Sequence, residues 1–282
     1  MTTNSAAKSA AVPAVMDFGS VLRDWRNHRR ISQLSLSTQT GISQRHISFL
    51  ETGRSQPSRA TVLALSDSLD IPLRERNVLL HSAGYSAAYS EQPLDSDSSR
   101  VFLDALQATL DHHEPFPAIV IDGRWNIFMI NDAALRFFSL FVDLFEALEA
   151  IGSPSDFQVV RLCLADKGLR PFIVNWEELT FTFLQRARRA LLVNPRDPRL
   201  PQLIDEIVRH PQAPAHWQNP DWSSAPAPAI SMTMEHRGER YSLFTMLAHF
   251  GAAQWVTLEE LSVETFYPAD EVTRAKLVAL AG

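Results

Sequence analysis

The sequence predicts an α+β chain in two parts. An all-α region of five short helices comes first, and a region with a roughly five-stranded antiparallel sheet and flanking helices follows. Three observations predict this. Residues 17–88 hold only helical spacings of apolar residues, punctuated by serine caps and glycine stops. After residue 99 the pattern twice switches to runs of β-prone residues, with helical spacings between them. The charge changes sign as well: residues 1–90 carry ten Lys/Arg against six Asp/Glu, net +4, and residues 91–282 carry 16 against 26, net −10.

In chain order, residues 1–16 are rich in Ala, Ser and Thr without periodicity and read as a flexible leader. Phe18, Val21, Leu22, Trp25 and Ile31 mark the first helix, after Asp17. A second runs from Gln33 to Thr40 and stops at Gly41, and Ser43 caps a third from Gln44 to Glu51, before Gly53. Ser58 caps a fourth with Val62, Leu63, Leu65 and Leu69 inward, and Pro72 opens a fifth through Leu79 and Leu80. The first domain therefore spans 17–88, and the polar segment 89–99 is a linker.

In the second domain, 100–282, Val101, Phe102, Ala105, Leu106 and Leu110 mark a helix. Two strand runs, 118–121 and 125–130, flank Asp122-Gly123, a hairpin pair whose central residues want positive φ. Helical patterns cover 132–149, 175–193 and 199–209. Strands are expected at 230–236, 241–250 and 260–267, with a tight turn at 237–239, and a last helix near Ala269. The helices are expected on one face of the sheet. Two strands, a helical excursion and three strands is the order of PAS-like sensor domains, which speaks to fold alone. The proline-rich run 211–228, with Trp217 and Trp222, reads as a pocket lid or a dimer contact.

Composition excludes several classes. No stretch approaches the roughly 18 apolar residues of a membrane span, and the N-terminus lacks a signal-peptide core, so a cytoplasmic protein without membrane partners is expected. The single cysteine, Cys163, rules out an intrachain disulfide and a multi-thiolate metal site. His112-His113-Glu114 lacks the spacing of a helical zinc site, and there is no nucleophile elbow or phosphate loop. The acidic pairs Glu177-Glu178 and Glu259-Glu260 are adjacent, so their side chains diverge. An enzyme, a cofactor and a metal are therefore not expected.

Residues 23–59 hold seven arginines and two acids, a patch suited to a polyanion. Within it residues 33–51, QLSLSTQTGISQRHISFLE, resemble the Cro/repressor-type helix-turn-helix of the Xre family. The local physics agrees: a short helix, a glycine at the tight turn, Ile42 to bury beneath it, then a capped helix with a polar N-terminal end. Gln44, Arg45 and Ser48 lie on the face a major groove would see, with Ser43 and His46 beside them. Arg suits guanine O6/N7 and Gln suits adenine N6/N7, so Gln44 and Arg45 are the direct-readout candidates. Arg54, Ser58 and Arg59 would meet phosphates around the start of the fourth helix. The resemblance itself implies that Gln33 clamps a phosphate and that Arg26 and Glu51 form a structural ion pair.

A second resemblance covers nearly all the chain after residue 17. LDIPLRERNVLLHSAGY (69–85), HEPFPA (113–118), RWN (124–126), Asn131, GLRP (168–171), NWEE (175–178) and FYPAD (266–270) look like regulators that join this DNA-binding domain to an MmyB-like ligand-binding domain. It implies a PAS-like sensor for a small, largely apolar molecule, fatty-acid-like ligands first. The chain departs from the pattern at His249, before Phe250-Gly251, and at Trp255, before Val256-Thr257-Leu258. The apolar pocket candidates are Phe137, Phe138, Phe172, Trp176, Phe183, Phe244, Met246, Phe250 and Phe266. Asn131, Asn175, His249 and Arg170 are the head-group candidates.

These readings converge on a sequence-specific transcription regulator that binds double-stranded operator DNA, as a homodimer on half-sites about one helical turn apart, and senses a small apolar ligand. The alternative gives the second domain only dimerisation or a protein partner.

Overall fold

The computed structural model describes residues 17–91, 99–152, 157–218, 230–251 and 253–282. The leader over 1–16, the linker residues 92–98, and residues 219–228 of the proline-rich run, Trp222 included, lie outside them. The chain divides between Tyr89 and Ser90 into two compact units.

The first unit is α1 (Phe18–His28), α2 (Gln33–Thr40), α3 (Gln44–Glu51), α4 (Arg59–Ser68) and α5 (Leu73–Ser82). Asp17, Ser32, Ser43 and Ser58 each accept a backbone N–H of the first turn they precede. Each such cap contributes about 1 kcal/mol, and four of them fix where four helices begin. Gly41 makes the turn between α2 and α3 at φ 72°, where a Cβ would be strained. Trp25, Leu22, Leu36, Ile47, Leu50, Val62, Leu65 and Leu79 form one core. α1 meets the end of α3 at Gly19, where a Cβ would stand 2.5 Å from the Leu50 carbonyl oxygen. Only a glycine lets the two backbones come so close.

The second unit begins with α6 (Arg100–His112), β1 (Ala118–Ile121) and β2 (Ile127–Ile130). A helical stretch follows: α7 (Asp132–Phe138), α8 (Leu144–Ala150), α9 (Gln158–Leu164), α10 (Trp176–Val193) and α11 (Leu200–Val208). β3 (Ile230–His236), β4 (Glu239–His249), α12 (Val256–Glu259), β5 (Ser262–Pro268) and α13 (Glu271–Ala281) complete it. The sheet is antiparallel with order β2-β1-β5-β4-β3, so the first hairpin lies beside the last strand, as in a PAS-like sheet.

Helices cover both faces, which corrects the expectation of a one-sided arrangement. The main core packs Ile119, Ile121, Met232, Leu243 and Phe266 of the sheet against residues of α7–α11 and α13. On the other face Ala118, Val120 and Val263 meet Leu106 and Leu110 of α6 and Leu258 of α12. β1 is therefore buried on both sides, which is why its run reads as continuously apolar rather than alternating.

Other local differences have local causes. The Asp122 carboxylate accepts the N–H groups of Arg124 and Asn126, which widens the first hairpin loop and delays β2 to Ile127. The positive φ falls on Trp125 rather than on Asp122-Gly123. It is Arg237-Gly238 that supplies a two-residue turn with both φ values positive. The helical run 132–149 breaks into α7 and α8, and α9 was not anticipated. α12 occupies the residues just before β5, which starts at Ser262 rather than 260. Trp217 is neither lid nor surface contact: it is buried, with its ring 5.9 Å from that of Trp176.

Candidate functional site

In the first unit α2 and α3 are arranged as the resemblance implies. The Ser43 hydroxyl accepts from His46 N at 3.2 Å and so starts α3, leaving Gln44 and Arg45 exposed in its first turn. Arg45 lies over the ring of Phe49 one turn on, 5.3 Å away, and Ser48 is half-buried. Arg54 and Arg59 are exposed. Ser58 is exposed too, but its hydroxyl is engaged as the cap of α4 and with Thr61.

Glu51, 3% exposed at the end of α3, anchors this surface. Its carboxylate accepts Arg26 Nε at 2.5 Å and Nη2 at 3.0 Å, a bidentate pair that raises the Arg26 pKa. Arg23 donates to the Glu51 carbonyl at 2.6 Å. Gln33 donates to Oε2 at 2.9 Å, so its amide hydrogen faces inward and only the rest of the amide is left for a phosphate.

In the second unit an apolar cavity opens within the main core. It offers about 580 Å³ of space, its open mouth included. Phe266 and Ile119 from the sheet, Phe138 of α7, Leu162 of α9, and Leu179 and Phe183 of α10 form much of its wall. The lining also takes in Ile127, Leu144, Val159, Leu169 and Met232, and three side chains with a polar atom: Cys163, Thr245 and Glu264.

Glu264 is 4% exposed and Thr245 8%, and they are diagonal neighbours on adjacent strands: Thr245 pairs with Phe266, two residues beyond Glu264. Burial raises the Glu264 pKa, and the charge of the Arg186 guanidinium and a hydrogen bond from the Thr245 hydroxyl hold the rise back. Beyond each other, neither Glu264 Oε2 nor Thr245 Oγ1 has a hydrogen-bond partner among the described residues. Arg186 lies 4.8 Å over the ring of Trp125, and burial lowers its pKa. Burial next to Glu264 pushes the Cys163 thiol up to about 12.

Of the sequence candidates, Phe138, Phe183 and Phe266 line the cavity and the rest do not. Phe137 is core, packed on Phe141 and Tyr241. Phe172 packs on Phe141 and His236. The Trp176 indole donates to the Cys163 carbonyl at 2.8 Å. Alternation along β4 turns Phe244 and Met246 to the opposite face, where Phe244 stacks on Tyr267 and Met246 is 57% exposed. His249 and Phe250 line a shallow groove beside α6 instead.

The polar candidates serve the fold. Asn131 caps α7, accepts from Ala118 N at 2.9 Å and donates to the Phe116 carbonyl. Asn175 ties α10 to β3 through Thr233 N and the Ser231 carbonyl. Arg170 donates to Gln212 and lies over Trp176, and His249 pairs with the Ser262 hydroxyl. Of the two departures from the resemblance, His249 is outside the cavity and Trp255 packs on Phe102 on the same far side. The sequence reading missed Glu264 and Thr245, although alternation from Phe266 puts Glu264 on the same face.

His112, His113 and Glu114 are likewise structural. His112 meets the Ala108 carbonyl, His113 the Phe266 carbonyl, and Glu114 pairs with Ala133 N and Arg136. Among the described residues no group of three or more His, Cys, Asp or Glu is placed to hold a metal, and no helix is long and apolar enough to cross a membrane.

Comparison with known proteins adds the following. No curated protein matches the sequence. Among solved structures, the "Structure of an RNA-binding Light-Oxygen-Voltage Receptor" is similar over 94% of this chain at 9% identity and a TM-score of 0.25, too slight a likeness to bear on fold or function. This chain spans 62% of that one. A helix-turn-helix family model matches residues 22–76, the span of α2, α3 and the Arg26–Glu51 pair. A second, described as the MmyB-like transcription regulator ligand binding domain, matches residues 103–280, the sheet, its helices and the cavity between them. Both families are regulatory, and with more than half its length in the second match the chain belongs to the MmyB-like transcription regulator ligand-binding family.

Proposed function

We propose that the chain is a cytoplasmic, ligand-responsive, sequence-specific transcription regulator that binds double-stranded operator DNA. Gln44 and Arg45 read base edges from α3, with Ser48 and His46 beside them, while Arg54 and Arg59 neutralise phosphates and Gln33 hydrogen-bonds one. Two copies bind two half-sites, because one unit of this size makes few base contacts. The cavity takes a small apolar molecule, fatty-acid-like in its chain. The observation that carries this reading is the cavity itself: an interior apolar space between the sheet and α7–α10 in a domain whose family binds ligands.

The test titrates apolar compounds into the full-length protein at fixed salt and follows two quantities. These are the melting temperature and the affinity for a DNA fragment selected by the protein from a random pool. A ligand that binds only the folded state raises the first, and it changes the second only if it favours one DNA-binding geometry over another. Salt is held fixed because phosphate contacts depend steeply on it. Movement of both supports the proposal. If no apolar compound moves either, the second domain is a dimerisation or partner-binding module.

A further inference from the structure

Resting on the reading that two copies share one operator, we infer that the second unit pairs with a second copy of itself through the outer face of β4 and β5 and the groove beside α6. Three cross-strand pairs build that face: Phe244 with Tyr267, Met246 with Thr265, and Ala248 with Val263. The rings of Phe244 and Tyr267 stack 5.3 Å apart and are half-buried, while Met246 is 57% exposed. β4 thus presents Phe244, Met246 and Ala248 in succession where a solvated strand would carry polar residues. At Ala248 the face runs into the groove, about 450 Å³ with its open mouth included, whose other wall is Ala105 and Thr109 of α6. A projecting methionine beside a recess is self-complementary. A two-fold axis between them seats the Met246 of each copy in the groove of the other.

Charge names the occupant. Residues 91–282 carry 16 Lys/Arg against 26 Asp/Glu, so two such units repel each other over most of their surface. In a two-fold interface the same patch lies on both sides, and any charge near the axis meets its like. The three strand pairs and the lining of the groove hold no Asp, Glu, Lys or Arg. α6 is turned to suit. At about 100° per residue, Asp104 and Asp111 fall on the flank of the helix away from Ala105 and Thr109, and Gln107 donates to Asp111 there at 2.8 Å. Toward the other end of β3 and β4, Glu235 and Arg240 pair with each other at 3.0 Å, which leaves the rim neutral as well. A cationic partner would be drawn to the acids elsewhere on this unit; an uncharged face on an acidic unit suits a second copy.

The experiment follows sedimentation of the full-length protein over a concentration series, free and on the DNA fragment it selects, with melting temperature as the check on folding. The unaltered protein is expected to be a dimer. Met246→Asp and, independently, Ala105→Asp should raise the dimer dissociation constant at least about a hundredfold, because each sets like charges into a shared neutral face. Leu192→Asp, at an exposed leucine of α10, should leave it within threefold. Coupling gives a second readout. Met246→Cys should link to its copy through a short bis-maleimide and Val272→Cys, on α13, should not, since the native Cys163 is buried and does not compete. Dimers that survive both aspartates in folded protein, or that are lost equally in Leu192→Asp, overturn the inference and leave two-copy binding standing. So does coupling through Val272→Cys in place of Met246→Cys. A protein that is monomeric both free and on DNA removes the two-copy reading, and this inference with it.

Discussion

Replacing Glu51 with alanine removes the acceptor for three side-chain hydrogen bonds at once: Arg26 Nε and Nη2, and Gln33 Nε2. The Arg26 side chain is 12% exposed, so water does not take the carboxylate's place. Stripping one partner from a buried pair costs roughly 3 to 5 kcal/mol, because a charge is left desolvated and unpaired. In amide hydrogen exchange on the full-length protein, that loss speeds the slowest amides of α1 and α3, such as Leu22 and Leu50, by about two to three and a half orders of magnitude. Glu206→Ala supplies the comparison. It breaks the half-exposed Arg161–Glu206 pair, 3.1 Å long, in the second unit, where about 1 kcal/mol or less is at stake. Equal changes in the two variants, or a change under tenfold at Leu22 and Leu50, would refute the anchoring role of Glu51.

Three further outcomes follow from the same geometry. Arg45→Ala should lower discrimination at one base pair by roughly 1 to 3 kcal/mol, while Arg59→Ala weakens binding to all sequences alike; competition assays with single-base variants of the selected fragment separate the two. Glu264 has a folded-state pKa above its ordinary 4.5, so the native state holds a proton that the unfolded chain has lost, and stability falls as pH rises from about 4.5 through the raised value. Thr245, Arg186 and Cys163 face the same group, and Glu264→Gln should flatten that fall and leave the second unit more stable at neutral pH; a steeper loss in the variant contradicts this. The Cys163 thiol, buried and pushed up to about 12, should react with a disulfide reagent at pH 8 about a thousandfold more slowly than in the urea-unfolded chain, and comparable rates would show that the interior is open.

Legibility followed the range of the interaction that decides each feature. Caps are local, so Ser43 and Ser58 mark the starts of α3 and α4 from sequence alone. α9 has no such mark: Phe157 precedes it at φ 64° without a side-chain cap. The anchoring of α3 was legible only through a resemblance, because Arg26 and Glu51 are 25 residues apart and nothing local joins them. In the cavity, hydrophobicity misled. Phe244 and Met246 looked like interior residues and face away, while Thr245 between them faces in. The outer face of β4 carries Phe244 and Met246 rather than polar side chains, so nothing local betrays its orientation; the register of β4 against β5 decides, and that is set by distant residues. Glu264 was invisible for the opposite reason, since a carboxylate in a strand reads as solvent-facing.

The close seat of α1 on α3 at Gly19 has a bearing on control. With the Leu50 and Glu51 carbonyls pressed against that glycine and Arg26 locked to Glu51, α3 is bolted to its frame. It has no hinge of its own. A signal that reached this unit would find α3 fixed within it, and could act on DNA binding only by moving the unit as a whole.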